Sequence, residues 1–358
     1  MFDEYSPLKK KMFSIMDTDG KIINPDWMPD LSDDAVVDAF KRMLFARSAD
    51  LMAVSYQRQG RMYTYPPNLG QEAIHIGASM ALQKEDWLVP AYREAGMWLA
   101  KGLKLREFFL LWRGHEDAYK YLADIKMLPS SVPIASQLLH AVGIGFAMNY
   151  RDEKNVIFTF NGDGGTSEGD FHEALNFAGV WKAPVIFTVQ NNQYAISLSR
   201  KKQTAAESLA IKSVGYGIDG IQVDGNDFFA VAAAELKAAE HARSGKGPVL
   251  IECVTYRRGA HTTSDDPGKY RSEEEEKEWA TKDPVDRLRK YLVSKKLWDP
   301  KDEEPLLEQF KKEIDNAFSE AENYPAYKLE DVFQYHYAEM PDDLKIQKNE
   351  YEKFLNSR

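Results

Sequence analysis

The sequence predicts an α/β fold, a parallel sheet flanked by helices with a helical C-terminal region, and three observations predict it. Residues 155–160 and 184–190 are short runs rich in β-branched and aromatic side chains, the pattern of strands buried on both faces. Between them Phe171, Ala174, Leu175 and Ala178 recur at helical spacing, which sets one apolar stripe against such a sheet. A third run, 248–255, follows another helical stretch, so strand and helix alternate as crossover connections require.

Taken in order, residues 1–32 read as an extended N-terminal arm, because Gly20, Pro25 and Pro29 interrupt any helical period. Ser32-Asp33-Asp34-Ala35 supplies a capping hydroxyl and an acidic first turn ahead of Val36, Val37 and Phe40, which predicts a helix start. Residues 70–82 read as a closely packed helix of small side chains, and residues 168–181 as the crossover helix between the first two strands. Asp227 is placed to cap a helix over Phe229, Ala233 and Leu236, which Gly245 stops. Residues 257–272 mix Gly, Pro, Ser, Thr and both charges, the composition of a mobile surface loop. Beyond them the chain reads as charged helices, with the acidic run 273–276 as a solvated face. The organisation is therefore an arm at 1–32, an α/β domain at 33–272, and a helical region at 273–358 packed on it.

Composition removes several classes of function. Lys and Arg number 46 against 56 Asp and Glu, a formal charge of −10, where a nucleic-acid surface needs a net basic face. The single cysteine, Cys253, excludes an intramolecular disulfide and any cysteine-based metal cluster. No apolar run approaches the roughly 18 residues of a membrane span, and no long apolar core follows the N-terminal lysines. The expectation is a cytoplasmic protein without nucleic-acid or membrane partners.

The chemistry sits at two strand ends. Gly162-Asp163-Gly164-Gly165 follows the first strand, and Asn191-Asn192 follows the second. Parallel sheets place ligands at the carboxyl ends of their strands. Glycines around Asp163 let backbone amides approach a phosphate, while Asp163 and Asn192 supply the hard oxygens that suit magnesium. The start of the 168–181 helix is a favourable place for an anion. Read alone, each motif is also an ordinary turn. Their spacing argues otherwise, because the 26 residues from 165 to 190 hold one crossover helix and its return strand. His75 and His140, within apolar helices, read as structural.

With this spacing the chain resembles the thiamine-diphosphate enzymes, whose diphosphate motif is Gly-Asp-Gly followed by Asn-Asn. The likeness extends through 161–170, Gln190-Asn-Asn-Gln-Tyr-Ala-Ile-Ser197, Val223-Asp-Gly-Asn-Asp227, Gly70-Gln-Glu72, Tyr92-Arg-Glu-Ala-Gly96 and His261-Thr-Thr-Ser-Asp-Asp266. Over about 35–340 it is similar to the alpha subunit of the 2-oxoacid dehydrogenase first component. Met127-Leu-Pro129 and Arg113-Gly-His115 resemble the bacterial pyruvate type most, with branched-chain and acetoin dehydrogenase alpha chains as alternatives.

The resemblance implies a thiamine-diphosphate-binding fold, with thiamine diphosphate and Mg2+ as cofactors. It implies Asp163, Asn192 and the Tyr194 carbonyl as metal ligands, Gly162, Gly164 and Gly165 as the cradle, and Tyr92 and Arg93 at the diphosphate. Val132 and Ile134 lie in the segment whose backbone, in the family, meets the aminopyrimidine ring. His261 matches the family's active-site histidine, as a donor to the diphosphate or a manager of protons in reductive acylation. Ser131, Pro133, Ser136 and Gln137 resemble a monovalent-cation site with Ser in place of Thr, and also an ordinary polar helix start. Thr262 matches a position that mammalian relatives phosphorylate. No second module matches the half-site for the aminopyrimidine, so the resemblance implies a beta subunit that supplies it, two alpha and two beta chains, and acyl transfer to the lipoyl domain of a dihydrolipoyl acyltransferase. The substrate implied is a 2-oxoacid, with pyruvate first. A non-enzymatic α/β binding protein is the rival of a different class.

Overall fold

The computed structural model describes residues 1–357. Among them the strands are β1 (Trp87–Val89), β2 (Ile157–Gly162), β3 (Val185–Asn191), β4 (Tyr194–Ala195), β5 (Leu198–Ser199), β6 (Asp219–Asp224) and β7 (Val249–Val254). The first half of the chain carries α1 (Asp33–Arg58), α2 (Glu72–Ser79), α3 (Ala95–Lys101), α4 (Leu105–Trp112), α5 (Ser136–Tyr150) and α6 (Gly169–Trp181). The rest carries α7 (Arg200–Gln203), α8 (Phe228–Arg243), α9 (Glu273–Ala280), α10 (Pro284–Ser294), α11 (Glu303–Glu322), α12 (Leu329–Phe333) and α13 (Asp342–Asn356).

The main sheet has the order β1-β2-β3-β7-β6 and every pairing in it is parallel. Its pleat divides two cores. Phe158, Phe160, Ile186, Ile251 and Cys253 face α1, α2 and α8, whereas Ile157, Val185, Phe187, Val189 and Leu250 face α5 and α6. Both faces are covered, which is why the strands read as continuous apolar runs rather than as alternation. From β3 the chain runs to β6 at the far edge and returns as β7 between them, so the direction of winding reverses at β6. Ligand crevices of parallel sheets lie at the carboxyl ends of the strands.

The expected helix starts hold. Ser32 Oγ accepts from Ala35 N at 3.2 Å, and Asp227 Oδ1 accepts from Phe229 N and Ala230 N at 3.1 and 3.2 Å. The helix read at 70–82 is shorter, because Gly70 takes φ +97° and a Cβ there would stand 2.4 Å from the Tyr256 carbonyl oxygen. That glycine is a tight crossing, not a helical residue. The N-terminal arm is not free either. Phe13 bridges to Val223 at the edge of β6, and Asp227 Oδ2 accepts from Ile15 N and Met16 N, both at 2.7 Å. One buried carboxylate thus caps α8 and fastens the arm.

Residues 257–272 form a loop, with Ser264, Asp266, Gly268, Lys269 and Ser272 exposed, but two of its arginines are not surface groups. Arg257 and Arg271 are buried, and Arg271 lies among the rings of Tyr194, Tyr256 and Tyr270 at 4.9 to 5.6 Å. Composition predicted exposure because Arg and Tyr are polar by count, yet stacked guanidinium and rings bury well together. His140 also departs from its structural reading, since it stands on the exposed side of α5.

Candidate active site

The loops beyond the carboxyl ends of β1, β2 and β3, together with residues from 131–137 and 257–261, enclose a cavity of about 280 Å3. Asp163 leaves β2 directly into a short turn, with its carbonyl held by Gln203 Nε2 at 2.6 Å. Thr166 Oγ1, in the same turn, accepts from Lys212 Nζ at 3.0 Å. Gly165 lets this turn close over Asn161, since a Cβ there would stand 2.1 Å from Asn161 Oδ1. A Cβ at Gly162 would meet nothing within 4 Å, so its backbone borders open space. The Asp163 carboxyl is buried, its Oδ2 has no partner, and desolvation pushes its pKa up to about 6.

Asn192 follows β3 and turns its side chain toward Asp163. Its Nδ2 donates to Gln71 Oε1 at 2.9 Å, which leaves Oδ1 only 3.2 Å from Asp163 Oδ1 and 3.2 Å from the Tyr194 carbonyl oxygen. Rotating the Asn192 amide would give those two oxygens a donor, and rotating Gln71 with it would set the unpartnered Gln71 Nε2 on the Asn192 oxygen. The Asp163 carboxylate, the Tyr194 carbonyl and the Asn192 side chain converge there, with the buried Asp163 Oδ2 unpartnered, and with the Asn192 oxygen turned inward they form a donor set that suits a hard divalent cation on the side facing the cavity. The Tyr194 carbonyl is further fixed by Arg257 Nη1 at 2.9 Å, and Ile196 O by Arg257 Nη2 at 2.7 Å.

Tyr92 and Arg93 follow β1 across the cavity. Arg93 donates from Nη2 to His261 O at 2.8 Å and meets His261 Nδ1 at 3.2 Å, while Nη1 holds the Pro67 carbonyl. A guanidinium only donates, so His261 Nδ1 is an acceptor and the ring proton is assigned to Nε2. Burial, then the positive charges of Arg93 and Arg257, pull the imidazole down to about 4. It is a neutral N–H donor at pH 7. Asp265 Oδ2 accepts from His261 N at 2.8 Å and from the Tyr270 hydroxyl, and Arg257 Nη2 donates to that hydroxyl at 3.0 Å. Arg257 therefore ties the loop of His261 to the loop of Tyr194.

Tyr92, Arg93, Ile134, Gly162, Asp163, Gly164, Gly165, Asn192, Tyr194 and His261 all line the one cavity. Val132 does not; it is 64% exposed on the outer lip. Met127 packs beside β1, and His115 packs against Tyr324 and Tyr327, so neither motif behind the pyruvate expectation touches the cavity. Ser131 Oγ and Ser136 Oγ lie 2.8 Å apart, and Gln137 donates to Phe160 O at 2.7 Å. His75, as read, is structural: it is buried, and Nε2 meets Gln190 Oε1 at 2.8 Å.

Sequence reasoning missed Arg257 and Glu94. Arg257 had a signal, because it follows the strand run 248–255 at the same edge as Asp163 and Asn192. Glu94 had none beyond its place in a motif. Its Oε1 accepts from Gln190 Nε2 at 2.7 Å and burial pushes the carboxyl up to about 8, at the back of the cavity.

Residues 40–330 match the family described as dehydrogenase E1 component. Over 346 residues the chain is 42% identical to the pyruvate dehydrogenase E1 component subunit alpha of Staphylococcus epidermidis, covering 96% of this chain and 94% of that one. The protein of the same name from Staphylococcus aureus gives the same figures. The one from Acholeplasma laidlawii is 44% identical over 341 residues, 95% of this chain and 99% of its own.

Proposed function

This chain belongs to the dehydrogenase E1 component family, and from that premise we propose how its cavity serves the reaction. It is the alpha subunit of a thiamine-diphosphate-dependent pyruvate dehydrogenase, part of a multienzyme complex with a beta subunit and a lipoyl-bearing component. When bound, thiamine diphosphate supplies the electron sink that decarboxylation of a 2-oxoacid needs. The chain's own residues bind, orient and handle protons.

The observation that carries the reading of the site is the convergence of the Asp163 carboxylate, with its buried Oδ2 unpartnered, the Asn192 side chain and the Tyr194 carbonyl in one cavity. These oxygens would hold Mg2+, and the turn at Gly162, Gly164 and Gly165 would bring backbone to the diphosphate. Tyr92 and Arg93 border the same space. Arg93 there adds positive charge and anchors the His261 loop. His261, neutral with its proton on Nε2, would donate a hydrogen bond to an anionic group in the cavity and, once that anion raises its basicity enough for the ring to take a second proton from water, pass one on during transfer to the lipoyl disulfide. Ile134, from the lip, and Val132 beside it would meet the aminopyrimidine end, where the beta subunit closes the site. An assembly of two alpha and two beta chains and a cytoplasmic location belong to the same proposal, the latter on the acidic composition with one buried cysteine.

Calorimetry on the alpha–beta assembly tests the diphosphate site. Asp163→Ala should abolish magnesium-dependent binding of thiamine diphosphate while leaving the thermal midpoint within a few degrees of the parent. Unchanged cofactor affinity would remove Asp163 from the site.

A further inference from the structure

At the amino end of β1, away from the catalytic cavity, a second cavity of about 250 Å3 opens between the turn at 82–86, the end of α3 and residues 124–126. Lys84, Lys101 and Lys126 line it, against the carboxylates of Glu85 and Asp124. The neighbouring Asp86 carboxylate is already held by Arg243, with both contacts at 2.9 Å, and adds no free charge. Three lysines against two carboxylates leave an excess of one positive charge, with Lys126 paired to Glu85, in a chain of net charge −10.

Lys101 is only 9% exposed, and its ammonium donates to Lys84 O at 2.9 Å and Asp86 O at 2.6 Å, which fixes the turn. Lys126 reaches Glu85 at 2.6 Å, and Lys84 is exposed. Burial is the main cause that holds the Lys101 ammonium below its ordinary value, and the Lys126 charge adds to it. Leu82, Ala100 and Ile125 complete the wall with apolar surface.

We propose that this cavity binds a small phosphate-type dianion, inorganic phosphate or the phosphate of a small ester, between Lys84, Lys101 and Lys126. Lysines suit such a ligand as compact point charges. The apolar wall would accept the body of an ester. Occupancy would be felt at the catalytic cavity through two parallel rails. Lys126 O accepts from Leu88 N at 2.9 Å, Leu128 N donates to Leu88 O at 3.0 Å, and Ser131 N donates to Ala91 O at 3.1 Å. Residues 126–131 thus run beside β1 from the lysines to Ser131 and Tyr92, both in the wall of the catalytic cavity. An anion gripping Lys84 and Lys126 would clamp both rails at one end and be felt along them as far as Ser131 and Tyr92.

Titration calorimetry of the intact chain with inorganic phosphate, with glycerol 3-phosphate, and with chloride at matched ionic strength tests the site without reference to catalysis. Saturable binding of a phosphate species is expected, weakened at least ten-fold in Lys84→Gln/Lys126→Gln. Those two side chains lie outside the core, and an unshifted melting curve would confirm that the variant folds. Tighter binding of the ester assigns an organic ligand, and equal affinity assigns free phosphate. Hydrogen exchange should slow on binding across 84–92 and 124–131. The proposal is overturned by no binding beyond the chloride control, by equal affinity in the double variant, or by exchange that does not change past residue 128.

Discussion

His261 and Glu235 show how burial sets what a titratable group does here. The imidazole is held neutral by burial and by Arg93 and Arg257, so it starts as a hydrogen-bond donor and becomes an acid only beside an anion. His261→Ala should therefore reduce transfer to the lipoyl domain at least ten-fold more than it reduces decarboxylation read with an artificial electron acceptor. Equal losses in the two assays would assign His261 to cofactor binding alone. Glu235 lies fully buried on α8, with Oε1 accepting from Thr188 Oγ1 at 2.7 Å and Oε2 unpartnered. Desolvation pushes its carboxyl up to about 7 from the ordinary value of 4.5. Between those values the folded chain keeps a proton that the unfolded chain releases. Its contribution to stability is thus fully present below the lower value and is lost as pH rises to the upper one. Glu235→Gln should flatten this dependence, raising stability at pH 8 by on the order of 2 kcal/mol relative to pH 5. Parallel urea midpoints for the two proteins at both pH values would refute it.

The element that most repays comparison with its sequence is the segment 257–272. Its composition suggested mobility, yet Arg257 reaches back to Tyr194 O and Ile196 O, and Arg271 donates to Gly259 O at 3.0 Å within a cage of tyrosines. Of the segment's basic residues Lys269, the last of the short turn at 267–269, is the exposed one. Trypsin should accordingly cut first at Lys269 and only later at Arg257 or Arg271, with thiamine diphosphate and Mg2+ slowing every cut because His261 and the Tyr194 loop are then held from both sides. Peptide mapping over time distinguishes this. Early cleavage at Arg257 would mean that the cage is loose, and identical rates with and without cofactor would separate the loop from the site. The helices behaved more simply. Ser32 and Asp227 cap the helices they were expected to cap, because a side-chain oxygen at the N-cap satisfies an amide a few residues away and needs no tertiary information.

At the scale of the whole molecule, the catalytic cavity has the diphosphate side built from this chain and its other side toward Ile134 and the exposed lip at Val132. The purified chain should therefore decarboxylate no 2-oxoacid until the beta subunit is added, and robust turnover by the chain alone would refute that dependence. With both subunits, pyruvate should carry the higher specificity constant, and 3-methyl-2-oxobutanoate should follow by a factor that about 1 to 3 kcal/mol of discrimination allows. Side-by-side kcat/KM values decide it. The sequence by itself determined the parallel sheet, its crossover helices and the placing of Asp163 and Asn192 at strand ends, because local periodicity and spacing carry that information. Only the tertiary structure decided that Arg257 joins the Tyr194 and His261 loops, that the arm lies along β6, and that Arg93 anchors His261. It also decided that β1, three residues long, and β6 belong to the sheet. Those contacts join residues far apart in the chain, and burial, which no composition reports, turns a polar side chain such as Arg257 into a buried tie.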